Sequence, residues 1–301
     1  MRRLFYFLMP LPVILLIVLF NGCNSDSKHS TVPDIETGSW AIYTPYDWSH
    51  DGKPFHSVYC TIYSDAASDF MKQQMGDIAD ESFSFIMQLF NFHDLSAFIY
   101  PPGFSKIDIY MNINHTENIN WAYWAGFIIT IRSTEINEQW RDYTVYTATH
   151  ELIHQLEFLI EGSEELGSDF WFREGVAVHV GCLRSTAFNK IESVNELNAW
   201  IDENQNIPGQ GNPITIHQYS DFPEGADMHQ YYRLFELAIR YILDERGCGQ
   251  SFHDIMKLFF DLRQETSFID ALENHLEIDL VDYEKTFFDR MRQYLNFIIS
   301  E

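Results

Sequence analysis

Thr147-Ala148-Thr149-His150-Glu151-Leu152-Ile153-His154-Gln155-Leu156 carries His-Glu-x-x-His inside a run that reads as a helix. Residues four apart on a helix sit only ~40° apart around the axis, so His150 and His154 project from one face, one turn apart. Two imidazoles so placed can share a zinc ion. Glu151 lies about 100° round from His150, beside the metal position and close enough to take a proton from water without blocking the ion. Leu152, Ile153, Leu156, Leu159 and Ile160 make the segment apolar enough for a buried helix. Asp142 is a candidate cap for its start, and Gly162 stands where a stop is expected.

A catalytic zinc needs a third protein ligand and one open position. A histidine six residues after the second His is excluded, because Glu157 and Ile160 fill the positions of His-x-x-Gly-x-x-His. The better candidate is Glu174, in Trp171-Phe172-Arg173-Glu174-Gly175-Val176-Ala177. His150-Glu151-Leu152-Ile153-His154 followed by this stretch resembles the gluzincin zinc metallopeptidases, in particular the peptidase MA-like family. There the third ligand is a Glu on the next helix, followed by Gly and then Ala; the match carries over to Glu174, Gly175 and Ala177. Nineteen residues separate His154 from Glu174, one more than is usual in the aminopeptidases of that clan. The turn between Glu161 and Asp169 can absorb it. Glu164, Glu165 and Asp169 are the rival ligands, because they lie in that turn.

Working outward toward the N-terminus, Trp121 to Ile131 reads as one strand containing Gly126, and Ile107, Ile109 and Met111 alternate along another. Pro101-Pro102-Gly103 separates these from a helix over residues 66–90, with Phe70, Ile78, Phe85 and Leu89 among its apolar positions. Val58, Cys60 and Ile62 alternate in a further strand. This order resembles the small sheet subdomain of peptidase MA-like proteins, whose sheet edge beside the active helix takes an extended peptide as an added strand. Gly126 would permit close backbone approach there, or mark a β-bulge.

Toward the C-terminus, residues 185–225 look irregular, with one helix around Ile191 to Ile201 and an Asn-, Gly- and Pro-rich loop from Asn204 to Pro213. Leu234, Phe235, Ala238, Tyr241 and Ile242 give residues 227–246 a helical core stripe that Gly247 stops. The stretch from Tyr232 resembles the family helix whose leading tyrosine donates to the oxyanion; Tyr232 takes that role by the alignment, with Tyr231 as competitor. Helices then follow over Ser251–Leu262, Ser267–His275 and Leu280–Ile299, the second opened by a capping-box pattern of Ser267 with Asp270. The resemblance spans roughly residues 55–297. The fold class expected is α+β: a small mixed sheet with a helix, then a mainly helical part, with a zinc cleft between them in a thermolysin-like catalytic core.

The chain has 301 residues and a formal net charge of −25, with 46% hydrophobic and 16% aromatic residues. Nucleic acid is excluded as a partner by the lack of basic clusters, and anionic membrane surfaces repel so acidic a body. Residues 1–23 differ in kind. Arg2 and Arg3 precede an apolar run from Leu4 to Phe20, then Asn21-Gly22-Cys23. This is a signal-peptide pattern, and Gly22-Cys23 resembles the lipobox of bacterial lipoproteins, with Cys23 lipidated; an uncleaved anchor is the alternative. Residues 24–38 read as a tether and 39–301 as the peptidase domain, outside the cytoplasm on either reading. Cys60, Cys182 and Cys248 cannot all pair within one chain; Cys182 and Cys248 either bridge or remain thiols. Asn114-His115-Thr116 forms a sequon that a bacterial lipoprotein would not use.

The function expected is zinc-dependent peptide hydrolysis, with Glu151 as base. The lack of a Gly-x-Met-x-Asn sequence before the site argues for an endopeptidase. Two alternatives stay open: a non-catalytic substrate- or glycan-binding lipoprotein on a peptidase scaffold, and a protease directed at glycosylated proteins.

Overall fold

The computed structural model describes residues 53–64, 66–101, 103–113, 121–123, 126–131, 136–162, 169–185, 198–199, 201, 212–218, 221–226 and 228–299. The leader, Cys23, the tether, the sequon at Asn114, Glu164, Glu165 and most of residues 186–211 lie outside them.

Strands β1 (Phe55–His56), β2 (Cys60–Tyr63), β3 (Ile107–Ile113), β4 (Trp121–Tyr123) and β5 (Gly126–Ile131) form a five-stranded mixed sheet in the order β1-β2-β3-β5-β4. β2, β3 and β5 run parallel, and β1 and β4 are antiparallel to their neighbours. The run from Trp121 to Ile131 is therefore two strands folded on each other rather than one. Gly126 opens the second, opposite Asp108. A Cβ there would fall 1.8 Å from the Asp108 carbonyl oxygen, so the glycine is a close-approach residue.

Helix α1 (Asp69–Leu89) covers one face of the sheet, burying Met71, Met75, Ile78, Ala79 and Phe83 with Cys60, Ile62, Ile107 and Ile109. Ser68 caps it, accepting from the Met71 amide. Phe70 is 67% exposed and so is not one of its core positions; Val58, 68% exposed, precedes β2 rather than lying in it. Asp80 of α1 accepts from the Ser57 hydroxyl and from the Val58 and Tyr59 amides, fixing the β1–β2 turn to the helix.

Helix α2 (Glu138–Glu161) carries the His-Glu-x-x-His stretch. It starts a turn earlier than Asp142 would have allowed, because the side chain of Asn137 caps it by accepting from the Trp140 amide. Gly162 closes it in the left-handed conformation at φ 73°, its amide donating to Phe158 O. From Thr144 onward α2 is buried on nearly every side, its polar residues Thr149, Glu151, His154, Gln155 and Glu157 included. It rests on α1, β4 and β5, and then on α3 (Phe170–Arg184). α3 packs in turn on α4 (Met228–Leu243). Gly175 makes that approach possible: a Cβ there would lie 2.7 Å from Phe235 O and from Ile239 Cγ1.

Helices α5 (Phe252–Leu262), α6 (Phe268–Leu276) and α7 (Leu280–Ile299) complete the chain and join the same core. The complete capping box belongs to α5, between Ser251 and Asp254; at α6 Ser267 caps by accepting from the Asp270 amide. The architecture is α+β, a small mixed sheet followed by a mainly helical remainder.

Candidate metal centre

One turn of α2 aligns His150 with His154, their ring centroids 5.0 Å apart. Glu174, in the second turn of α3, enters between them. Its Oε2 lies 3.4 Å from His150 Nε2 and its Oε1 lies 3.6 Å from His154 Nε2. The three residues each offer one ligand atom, and these atoms all lie within 4.8 Å of one another. Glu174 Oε2 is buried and makes no hydrogen bond among the described residues. Two Nε2 atoms and an orphaned carboxylate oxygen form the nitrogen and oxygen donor set that zinc takes, with room left in a tetrahedral shell. The residues present therefore fit a zinc ion.

The electrostatics agree. Burial opposes ionisation of Glu174, yet His154 and then His150 outweigh it and lower its pKa to about 2, which keeps it in the ligand form. Burial opposes charge on His154 as well; Glu174 and Glu157 overcome it and raise its pKa well above the usual histidine value. A cation and a proton thus compete for His154 Nε2. Glu151 is buried, and burial raises its pKa, with His150 and His154 opposing and Glu174 adding to the rise. Its carboxyl is close enough to feel all three ligand candidates. A raised pKa suits a group that must accept and return a proton near neutrality.

Around this centre stand residues that the sequence reading did not assign. Glu157 Oε2 accepts from His154 Nδ1 at 3.1 Å. Arg173 reaches Glu157, Glu161 and Asp169. Asp169, a rival for third ligand, instead accepts from Arg173 Nε at 2.8 Å. Gln155 Nε2 donates to Gly126 O at 2.8 Å, tying the ligand helix to the start of β5. The Tyr146 ring lies 6.2 Å from that of His150. Two signals were available for the first pair: Glu157 is three residues from His154 on one helical face, and Arg173 is the one basic residue in the run from Phe170 to Val178.

Tyr231 and Tyr232 lie where the first turn of α4 passes into the second, and both are buried. The Tyr232 ring packs edge-on to Phe170, the first residue of α3, and against Phe235; Tyr231 packs on Phe222 and Phe235. Cys60, Cys182 and Cys248 are all unbridged thiols.

No protein-family model matches the chain, and no curated protein matches it. Among solved structures it is similar to an aminopeptidase N family protein from Idiomarina loihiensis, with a TM-score of 0.43 and 12% identity over 78% of this chain and 46% of that one. The chain spans less than half the length of that protein.

Proposed function

We propose that the protein is a zinc-dependent endopeptidase. The observation that carries this reading is the convergence of His150 Nε2, His154 Nε2 and the Glu174 carboxylate, with the buried Glu151 beside them. Zinc bound there would supply a Lewis acid that polarises the scissile carbonyl and makes water a stronger nucleophile. The chain's own residues do the rest. Glu151 takes the proton of the attacking water and hands it to the leaving amine. The Tyr232 hydroxyl donates to the developing oxyanion. β4, at the sheet edge and in contact with α2, offers backbone groups to which an extended peptide adds as a strand. The lack of an amine-recognition sequence leaves both ends of the peptide free to run past the site. The peptidase MA-like resemblance and the thermolysin-like core belong to the same proposal, as do an extracytoplasmic location and a lipid anchor at Cys23.

Metal content tests the reading. The full chain is expected to hold one zinc, and His150→Ala or His154→Ala to lose it, by elemental analysis. Full zinc in either variant contradicts the site.

A further inference from the structure

Behind the ligands, a second layer of charge lies wholly inside the protein. Glu157 has no exposed side-chain surface, and Arg173 is nearly as buried. A buried carboxylate is costly unless it is paired and hydrogen-bonded. Glu157 Oε2 has two neighbours that supply this: His154 Nδ1 at 3.1 Å and Arg173 Nη1 at 3.7 Å. A carboxylate oxygen can only accept, so His154 must carry its proton on Nδ1. That leaves Nε2 as the atom facing Glu174.

Arg173 also joins the two ligand helices. Its Nη1 lies 2.7 Å from Glu161 Oε1, at the last residue of α2, and its Nε donates to Asp169, just before α3. Arg173 precedes Glu174, so the two side chains leave α3 about 100° apart. One turns to the metal position and the other to the carboxylate behind His154. By contrast, His150 Nδ1 is buried with no hydrogen-bond partner among the described residues. The two histidines are thus prepared differently.

We propose that Glu157 and Arg173 are the positioning pair of this centre: Glu157 fixes His154 as the Nδ1–H tautomer with Nε2 presented to zinc, and Arg173 holds Glu157 while setting the Glu174 helix against the histidine helix. The proposal rests on the zinc reading above. Partners that orient a ligating imidazole contribute about 10- to 100-fold in metal affinity.

The test uses the full chain, with zinc affinity read by chelator competition and the His154 ring protonation read by magnetic resonance of nitrogen-labelled histidine. Glu157→Gln keeps an acceptor but loses the charge, and its affinity is expected to fall about 10-fold; Glu157→Ala leaves Nδ1 without an acceptor, with a fall of about 100-fold and loss of the fixed Nδ1–H signal. Arg173→Met should weaken zinc as Glu157→Gln does. Asp261→Asn removes a comparable carboxylate, 2.7 Å from His275 Nε2 outside the centre, and is expected to change the His275 signal while leaving zinc affinity and the His154 signal as in wild type. Should Glu157→Ala fail to fold, Glu157→Gln carries the reading alone. Wild-type affinity and an unchanged His154 signal in the Glu157 variants overturn the proposal, and so does an equal loss in Asp261→Asn. A wild-type chain that takes up no zinc overturns the proposed function instead, while the His154 proton still reports on Glu157.

Discussion

Glu174 can be named from sequence as a candidate ligand, whereas the groups around it cannot. The His-Glu-x-x-His spacing fixes three side chains on a single helix, because helical geometry is local. The candidate third ligand lies on another helix, and choosing it over Asp169 depends on what each carboxylate meets in space. Asp169 meets Arg173, whereas Glu174 meets two imidazole Nε2 atoms. Tyr232 is harder still, since its role depends on where one hydroxyl points. Tyr232→Phe keeps the ring against Phe170 and Phe235 and removes only that hydroxyl. The expected result is unchanged zinc uptake with kcat lower by about 10²–10³, the usual effect of losing one oxyanion donor. A wild-type kcat would move the role away from Tyr232, with Tyr231 the next to test.

At the scale of elements, the long periodic segments were legible. The helices expected over Ser251–Leu262, Ser267–His275 and Leu280–Ile299 all form within a residue or so at each end. Their apolar spacing and capping residues agree with one another. The failures have physical causes. Asp142 and Asn137 are both capping residues, and only the packed structure decides that the Asn137 side chain accepts from Trp140. A continuous apolar run carries no mark of where it folds back, so β4 and β5 read as one strand. Gly126 was the clue, but its reason is the Asp108 carbonyl on a different strand, a contact between residues far apart in sequence. Phe70 fits the apolar pattern of α1 yet faces outward, because single apolar residues on a surface cost little.

For the molecule as a whole, an acidic body and an N-terminal stretch that is basic and apolar pull in different directions. The whole chain carries a formal net charge of −25, and a body so acidic is expected to be repelled by anionic lipid. Among the described residues no helix is long and apolar enough to cross a membrane. Attachment would then rest on the leader and Cys23. In a bacterium, the wild-type protein is expected to incorporate labelled fatty acid and Cys23→Ser to incorporate none; equal labelling would remove Cys23 from the anchor. Under the proposed function the chain performs chemistry at the candidate metal centre rather than merely binding there, and Glu151 separates the two. Glu151→Gln preserves size and leaves the three ligand candidates in place. The decisive measurement is zinc content and peptide hydrolysis of this variant side by side with wild type. One zinc per chain is expected in both, with hydrolysis reduced by about 10²–10⁴ in the variant, the range supplied by a positioned acid–base group. Near wild-type turnover in Glu151→Gln, with its zinc retained, would contradict the proposed function.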